Sequence, residues 1–342
     1  MKRWLLAFAI IIFFLQACQK TDESRLPASS KIVFLSNREA PKGQFDIFLM
    51  NPDGSDQINL TPELQTVRTL SRPVLSPDGK EVLFVAFENG RIMLQRLNID
   101  GRTVKDVAEV GFDPPNASFS PQGDKILFTR KIDGRRQIFI VDRDGGNERY
   151  LSEYDYDEFD PSFSADGKRI VFVSKHDGSF FLCTMNPNGS KRKVLTQQSG
   201  KIQHPSFSPR GDLIVFNVYQ KDASDIYVIK RNGKGVVNLT SSRYIDEQPL
   251  FSPDGSKIIF LSNRRGRRYS DICVINTKGE LFKNLTDGLN FINKAPIIAR
   301  NGKFIVFESI KFNDCEIYRV DLDGKELLNL SNHPGWDQSP GL

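Results

Sequence analysis

Histidine, cysteine and long apolar runs are what this sequence has least of. Its 342 residues include four cysteines and three histidines. There is no CxxC pair, P-loop, dinucleotide-binding glycine fingerprint or Gly-x-Ser-x-Gly elbow, so no motif supports redox exchange, nucleotide binding or serine hydrolysis. The apolar run from Trp4 to Leu15 is 12 residues long, short of the roughly 20 that a membrane-crossing helix requires. Neither sign of charge dominates. Forty-seven lysines and arginines stand against 42 acidic residues, interspersed along the chain, and the formal charge of +5 gives no basic stripe for nucleic acid. Disorder is excluded too, because 39% of residues are hydrophobic and 11% aromatic, enough for a packed interior.

What the sequence does contain is a repeat. Seven short apolar strands each end in phenylalanine, at Phe34, Phe84, Phe128, Phe172, Phe216, Phe260 and Phe307, spaced 50, 44, 44, 44, 44 and 47 residues apart. A period in the forties built from short strands predicts an all-β fold, a β-propeller of four-stranded antiparallel blades. Each unit opens on Pro-x-Phe-Ser, as in Pro161-Ser162-Phe163-Ser164, and turns at a Pro-Asp-Gly-type triplet such as Pro253-Asp254-Gly255. Proline presets the first turn torsion and glycine accepts the left-handed one. The middle position alternates between Asp78, Gln122, Asp166, Arg210 and Asp254, which assigns the aspartate to turn structure rather than to chemistry. The apolar strand ending in phenylalanine follows. A third strand of the form Asp225-Ile226-Tyr227-Val228 comes next, then a hairpin such as Asp142-Arg143-Asp144-Gly145, then a short last strand such as Asn238-Leu239-Thr240. The DxDG hairpins invite a calcium reading, but they lack the further acidic ligands of an EF-hand loop, and other repeats place Lys278-Gly279 there.

The chain enters at Lys31-Ile32-Val33-Phe34 with no first strand before it and ends at Ser339-Pro340-Gly341-Leu342 with no second strand after it. Seven first and seven second strands balance if the C-terminal strand completes the N-terminal blade, which removes an exposed sheet edge. Seven blades are therefore predicted, with six as the alternative. Cys183 and Cys273 fall in one column of non-adjacent repeats, too far apart for a disulfide, and together with Cys315 they read as buried thiols.

The unit Pro-x-Phe-Ser-Pro-Asp-Gly-Lys-x-Ile-x-Phe … Asp-Ile-Tyr-Val … Asp-Gly … Leu-Thr resembles the repeat of TolB-type propellers over residues 31–342. That resemblance implies a periplasmic protein-binding propeller; seven blades, an anchor of its own and no room for an N-terminal α/β domain would depart from TolB itself. The N-terminus, Lys2-Arg3, the apolar run and then Leu15-Gln16-Ala17-Cys18, resembles a bacterial lipoprotein signal, which implies acylation of Cys18; a cleaved secretory signal with an incidental cysteine is the plainer reading. The expected division is a signal peptide over 1–17, a lipidated cysteine and polar tether over 18–30, and the propeller over 31–342. Gln19 in place of an aspartate favours the periplasmic face of an outer membrane by analogy.

In a propeller the Pro-Asp-Gly turns and DxDG hairpins share one face, and the longer connections share the other. On that second face stand Tyr154, Tyr156, Arg243, Tyr244, His333 and Trp336. Tyrosine, tryptophan and arginine are preferred interface anchors, and variable loops on a rigid scaffold carry binding; ordinary solvated loops are the alternative. The residues preceding the proline position of each repeat, Arg72, Asn116, Asp160, His204, Gln248 and Ser339, are polar, with Ala295 the exception. They are expected to start the innermost strands at the channel mouth, holding either water alone or a peptide, glycan or metal. Oligogalacturonate lyases also use a TolB-like propeller, with a channel metal held by histidines and a glutamine; His204 and Gln248, with His333 and His176, are the residues that could serve here. The run Arg264-Arg265-Gly266-Arg267-Arg268 reads as a solvated loop rather than a phosphate site. The expected function is a monomeric, non-enzymatic, membrane-tethered scaffold for an envelope protein or peptide, with no cofactor, no metal and no nucleic acid. A carbohydrate-binding or lyase-like propeller is the alternative.

Overall fold

β-Branched and aromatic runs separated by glycine turns pair into seven antiparallel sheets, each forming one blade. The computed structural model describes residues 31–342 apart from 42, 63–67, 70–71, 112–115, 154, 290 and 313. Cys18, the segments on either side of it and Tyr154 lie outside the described residues. Blade 4 is representative: inner strand Asp157–Phe163, then Ile170–His176, Ser179–Met185 and outer strand Lys193–Gln198. Blade 2 differs in having its inner strand in two pieces, Arg68–Thr69 and Val74–Leu75, both paired to Glu81–Glu88. Blade 1 takes its inner strand from the other end of the chain, with Asp337–Gly341 pairing antiparallel to Ile32–Ser36. Among the described residues, no helix is long and apolar enough to cross a membrane.

The seven periodic phenylalanines are the largest buried side chains, each at most 1% exposed. Cys183, Cys273 and Cys315 are free, buried thiols. Burial pushes Cys183 up to about 12 and the other two higher still.

The repeated polar letters are internal fastenings. In blades 1, 5 and 6 the third strand carries Asp46, Asp225 and Asp271, which accept the hydroxyls of Thr61, Thr240 and Thr286, just beyond the last strand, at 3.3, 3.1 and 3.3 Å. The same threonines accept the main-chain N–H of Ile47, Ile226 and Ile272. Asp…Leu-Thr is thus a clip that closes the outer edge of a blade. The first turn has its own clip. Where the middle residue is an aspartate, it accepts the serine hydroxyl before it, as Ser76 to Asp78 and Ser164 to Asp166, both at 2.6 Å. Where Gln122 and Arg210 replace that aspartate, Ser120 and Ser208 donate instead to Asp124 and Asp212, both at 2.8 Å. The acid moves two residues and the bond is kept. Asp212→Ala should therefore cost about 1 kcal/mol, and adding Arg210→Asp should restore it; chemical denaturation of the single and double variants measures both.

Glycine is obligatory at the hairpin between third and fourth strands. Gly279 sits at φ +81°, and a Cβ there would stand 2.5 Å from the main-chain oxygen of Leu239 in the preceding blade. At this point the blade 6 hairpin packs backbone to backbone on blade 5.

Candidate functional site

The inner strands begin three residues or more before the repeated proline in blades 4 to 7. The pre-proline residues therefore do not start these strands, as expected, but sit inside them at bulges. Asp160, His204, Gln248, Ala295 and Ser339 all have φ between 48° and 55°. Left-handed torsions cost non-glycine residues of order 1 kcal/mol each. The bulge allows pairing on both sides of the proline, which has no N–H to give, and this is why the strand passes through the position instead of starting there.

Arg72, Asn116, Asp160, His204 and Gln248 line one central cavity of about 430 Å³, together with the prolines that follow several of them. Ser339 stays outside that lining; its main-chain N–H donates to Glu308 Oε2 at 2.9 Å. Asp160 links three blades: Oδ1 accepts the Asn116 amide at 3.0 Å and Oδ2 accepts the His204 main-chain N–H at 3.0 Å. The His204 ring does not meet this carboxylate. Its Nδ1 lies 3.0 Å from Asn217 Oδ1, while Asn217 Nδ2 donates to Ser224 Oγ at 3.0 Å. The Asn217 oxygen can only accept, so Nδ1–H is the donor in this bond. Arg72 lines the channel and is exposed to it; the crowding of the surrounding walls lowers its guanidinium to about 10, with Glu308 partly offsetting, so it stays charged at neutral pH. The channel therefore offers a cation, an imidazole ring and the Gln248 amide. Its aspartate and its histidine ring are each bound to scaffold groups and are not aligned as a base and its orienting acid. His176 lies in a blade 4 hairpin and His333 in the connection into blade 1, and among the described residues no three or more histidine, cysteine or acidic side chains group as a metal site.

The loop-face residues gather at three blade junctions rather than in one patch. Tyr156 is half-buried, edge-on to His176 at 4.5 Å. Arg243 is exposed and lies over Tyr244 at 5.4 Å, with Arg264 on the same ring at 5.8 Å. Trp336 Nε1 donates to Gln338 at 2.8 Å, and His333 Nδ1 accepts the Gly335 N–H at 3.0 Å.

The arginine run is not simply solvated. Arg264 pairs with Asp246 at 2.8 Å and lies 4.6 Å from the Phe282 ring centroid, and Arg265 pairs with Asp271. The Asp246 side chain is fully buried and that of Asp271 only 1% exposed, so each needs a countercharge; Arg267 and Arg268 remain exposed. Glu158 with Arg192 and Asp337 with Arg38 repeat this arrangement. Its signal in sequence is an acid three residues before the repeated proline, at Glu158, Asp246 and Asp337, which reading strand by strand missed.

With a seven-bladed ring, serine–acid turns and Asp…Leu-Thr clips in place, comparison with known proteins is decisive at the level of family. The TolB beta propeller domain matches over residues 19–216 and again over 140–342. The chain belongs to this TolB-type propeller family. Solved structures agree on the fold: TolB from Acinetobacter baumannii (19% identity, TM-score 0.58, 92% of this chain and 67% of that one) and a putative TolB from Agrobacterium tumefaciens (21%, 0.52, 91% of each). An oligogalacturonate lyase from Vibrio parahaemolyticus is similar in shape as well (13%, 0.66, 87% of this chain and 85% of that one). Comparison with curated proteins finds no match. At these identities the solved structures speak for the fold of this TolB-type propeller, not for its activity.

Proposed function

We propose that this TolB-type propeller is a non-enzymatic binding scaffold of the cell envelope. In this reading residues 1–17 are a signal peptide, Cys18 carries the lipid, 18–30 tether the ring, and residues 31–342 present it at the periplasmic face of an outer membrane. The occupant of the loop face is an envelope protein or peptide. One observation carries this: the two faces are built differently. The turn face is fastened shut by serine–acid clips, whereas the loop face displays Tyr156, Tyr244 and Trp336 half-exposed around a polar channel. Aromatic anchors on a rigid rim are the composition of protein interfaces. A lyase-like reading leans on His204 and Gln248 sharing the channel, but Nδ1 of His204 is committed to Asn217 and the other two histidines lie in other loops.

The test is capture from crosslinked envelopes with wild type, a Tyr156→Ala/Tyr244→Ala/Trp336→Ala variant and a turn-face control, Lys168→Ala. The expected result is one protein recovered by wild type and control and lost with the loop-face variant at unchanged melting temperature. Identical recovery by all three, or none by any, would sink the binding-face reading.

A further inference from the structure

We infer that a notch in blade 4 receives a single aromatic side chain from a peptide partner; this rests on the reading of the loop face as a peptide-binding face. Each buried phenylalanine faces a third-strand residue across the pair. In blades 1, 3, 5 and 7 that residue is Phe48, Phe139, Tyr227 or Tyr318, with ring centroids 5.6, 5.5, 5.7 and 5.9 Å from the phenylalanine. In blade 2 it is Gln95, bonded to Glu88 and Asp106. In blade 6 it is Cys273, and Phe282 reaches in to 6.4 Å from Phe260. In blade 4 it is Cys183, and the place of Phe282 is taken by Arg192. Among the described residues no ring fills the gap, and a cavity of about 300 Å³ remains beside Phe172 and Cys183.

The surroundings of the gap have changed as well. Blades 1 and 5 hold an acid and an asparagine at the next positions outward, Asp46 with Asn59 and Asp225 with Asn238, hydrogen-bonded at 3.0 and 2.9 Å. Blade 4 has Phe181 and Val194 there, and Val194 is 57% exposed. The polar clip of its siblings is thus replaced by an apolar wall, and the outer strand is bulged beside Cys183. Tyr156 and His176, from the loop-face end of the blade, line the cavity as well.

The sibling blades say what fits. The place vacated at Cys183 is the place where four blades stack a phenyl or phenol ring. The remaining wall is a cation: the Arg192 guanidinium stands 4.8 Å from the Phe172 ring centroid, held by Glu153 at 3.0 Å, the Leu151 carbonyl at 2.9 Å and Glu158. A fixed guanidinium beside an apolar floor is complementary to the negative face of an aromatic ring and gains less from an aliphatic chain. A capped tyrosine is therefore the simplest probe of the notch.

The experiment titrates N-acetyl-tyrosinamide into the full-length chain and follows nuclear Overhauser contacts from its ring protons. The expected result is contacts to the Val194 methyls and the Phe181 ring, with N-acetyl-leucinamide weaker by about three- to fivefold. Cys183→Phe, which restores the ring that blades 1 and 3 already carry, should abolish binding while keeping or raising the melting temperature. If that variant does not fold, the contacts in wild type decide alone. Contacts elsewhere, none at all, equal binding of the leucine probe, or full binding by a folded Cys183→Phe would each overturn the assignment. A ring bound in the notch with no envelope partner captured would separate this inference from the scaffold reading.

Discussion

Phe172→Ala should lower the unfolding free energy by about 3–5 kcal/mol. The ring is completely buried between blades 3 and 4, among Leu127, Ile138, Ile140 and Leu151 on one side and Ile170 and Met185 of its own blade. Its removal loses the transfer free energy of the ring and leaves a void that strands pinned by ladder bonds on both edges cannot close. Arg192, which stands over that ring, loses its partner at the same time. Urea or guanidinium unfolding followed by circular dichroism measures the change. A loss below about 1 kcal/mol would contradict the assignment of the phenylalanine column as the core of the ring.

Arg38→Ala should be of similar size, about 3–5 kcal/mol, because it strands a buried charge. Arg38 Nη2 lies 2.6 Å from Asp337 Oδ2, the two side chains being 9% and 0% exposed, and the guanidinium covers Phe48 at 4.9 Å. Asp337 belongs to the closing strand, so the pair locks the two ends of the chain. Burial already pushes its carboxyl above the usual range, with Arg38 partly offsetting. A carboxyl whose folded pKa is raised takes up a proton more readily folded than unfolded, so falling pH favours the folded state. Removing Arg38 raises that pKa further. The deficit of Arg38→Ala should therefore be largest at neutral pH and shrink as pH falls through the raised value. An Arg38→Met/Asp337→Leu double variant should recover most of the loss, since a buried pair replaced by apolar groups is often near neutral. A deficit that does not change with pH would mean that the packing of Arg38 on Phe48, not its charge, is what matters.

How much of this was legible beforehand depends on the range of the interaction. The phenylalanine column, the turn triplets and the balance of first and second strands are local patterns repeated at one period, and the seven-bladed ring followed from them. The bulge at Asp160 and His204 was not legible, because a left-handed torsion before proline leaves no mark in residue type. Nor was the partner of Asp337, which lies 299 positions away in sequence. The arginine run was expected to be solvated because its two buried acids stand in other strands, Asp246 before it and Asp271 after it. Arg72, Asn116, Asp160, His204 and Gln248 share one cavity, but the engagement of the His204 ring by Asn217 comes from a neighbouring strand that carries no signal of its own. The blade 4 notch was within reach: Cys183 was seen in one column with Cys273, and the aromatic residues that fill that column elsewhere mark what is missing.

Because the strand Ile32–Ser36 pairs with Asp337–Gly341, the first blade begun during synthesis is the last that can be finished. Until that strand docks, the ring stands as an open arc whose raw edges can pair with other chains. Loss of that strand alone would leave most of the interior intact and still expose that edge. Gly341, where a Cβ would stand 2.0 Å from the Pro73 main-chain oxygen, leaves little latitude in how the seam is sewn. The soundness of the whole ring therefore hangs on one short strand, and any change that hinders its docking acts as a truncation.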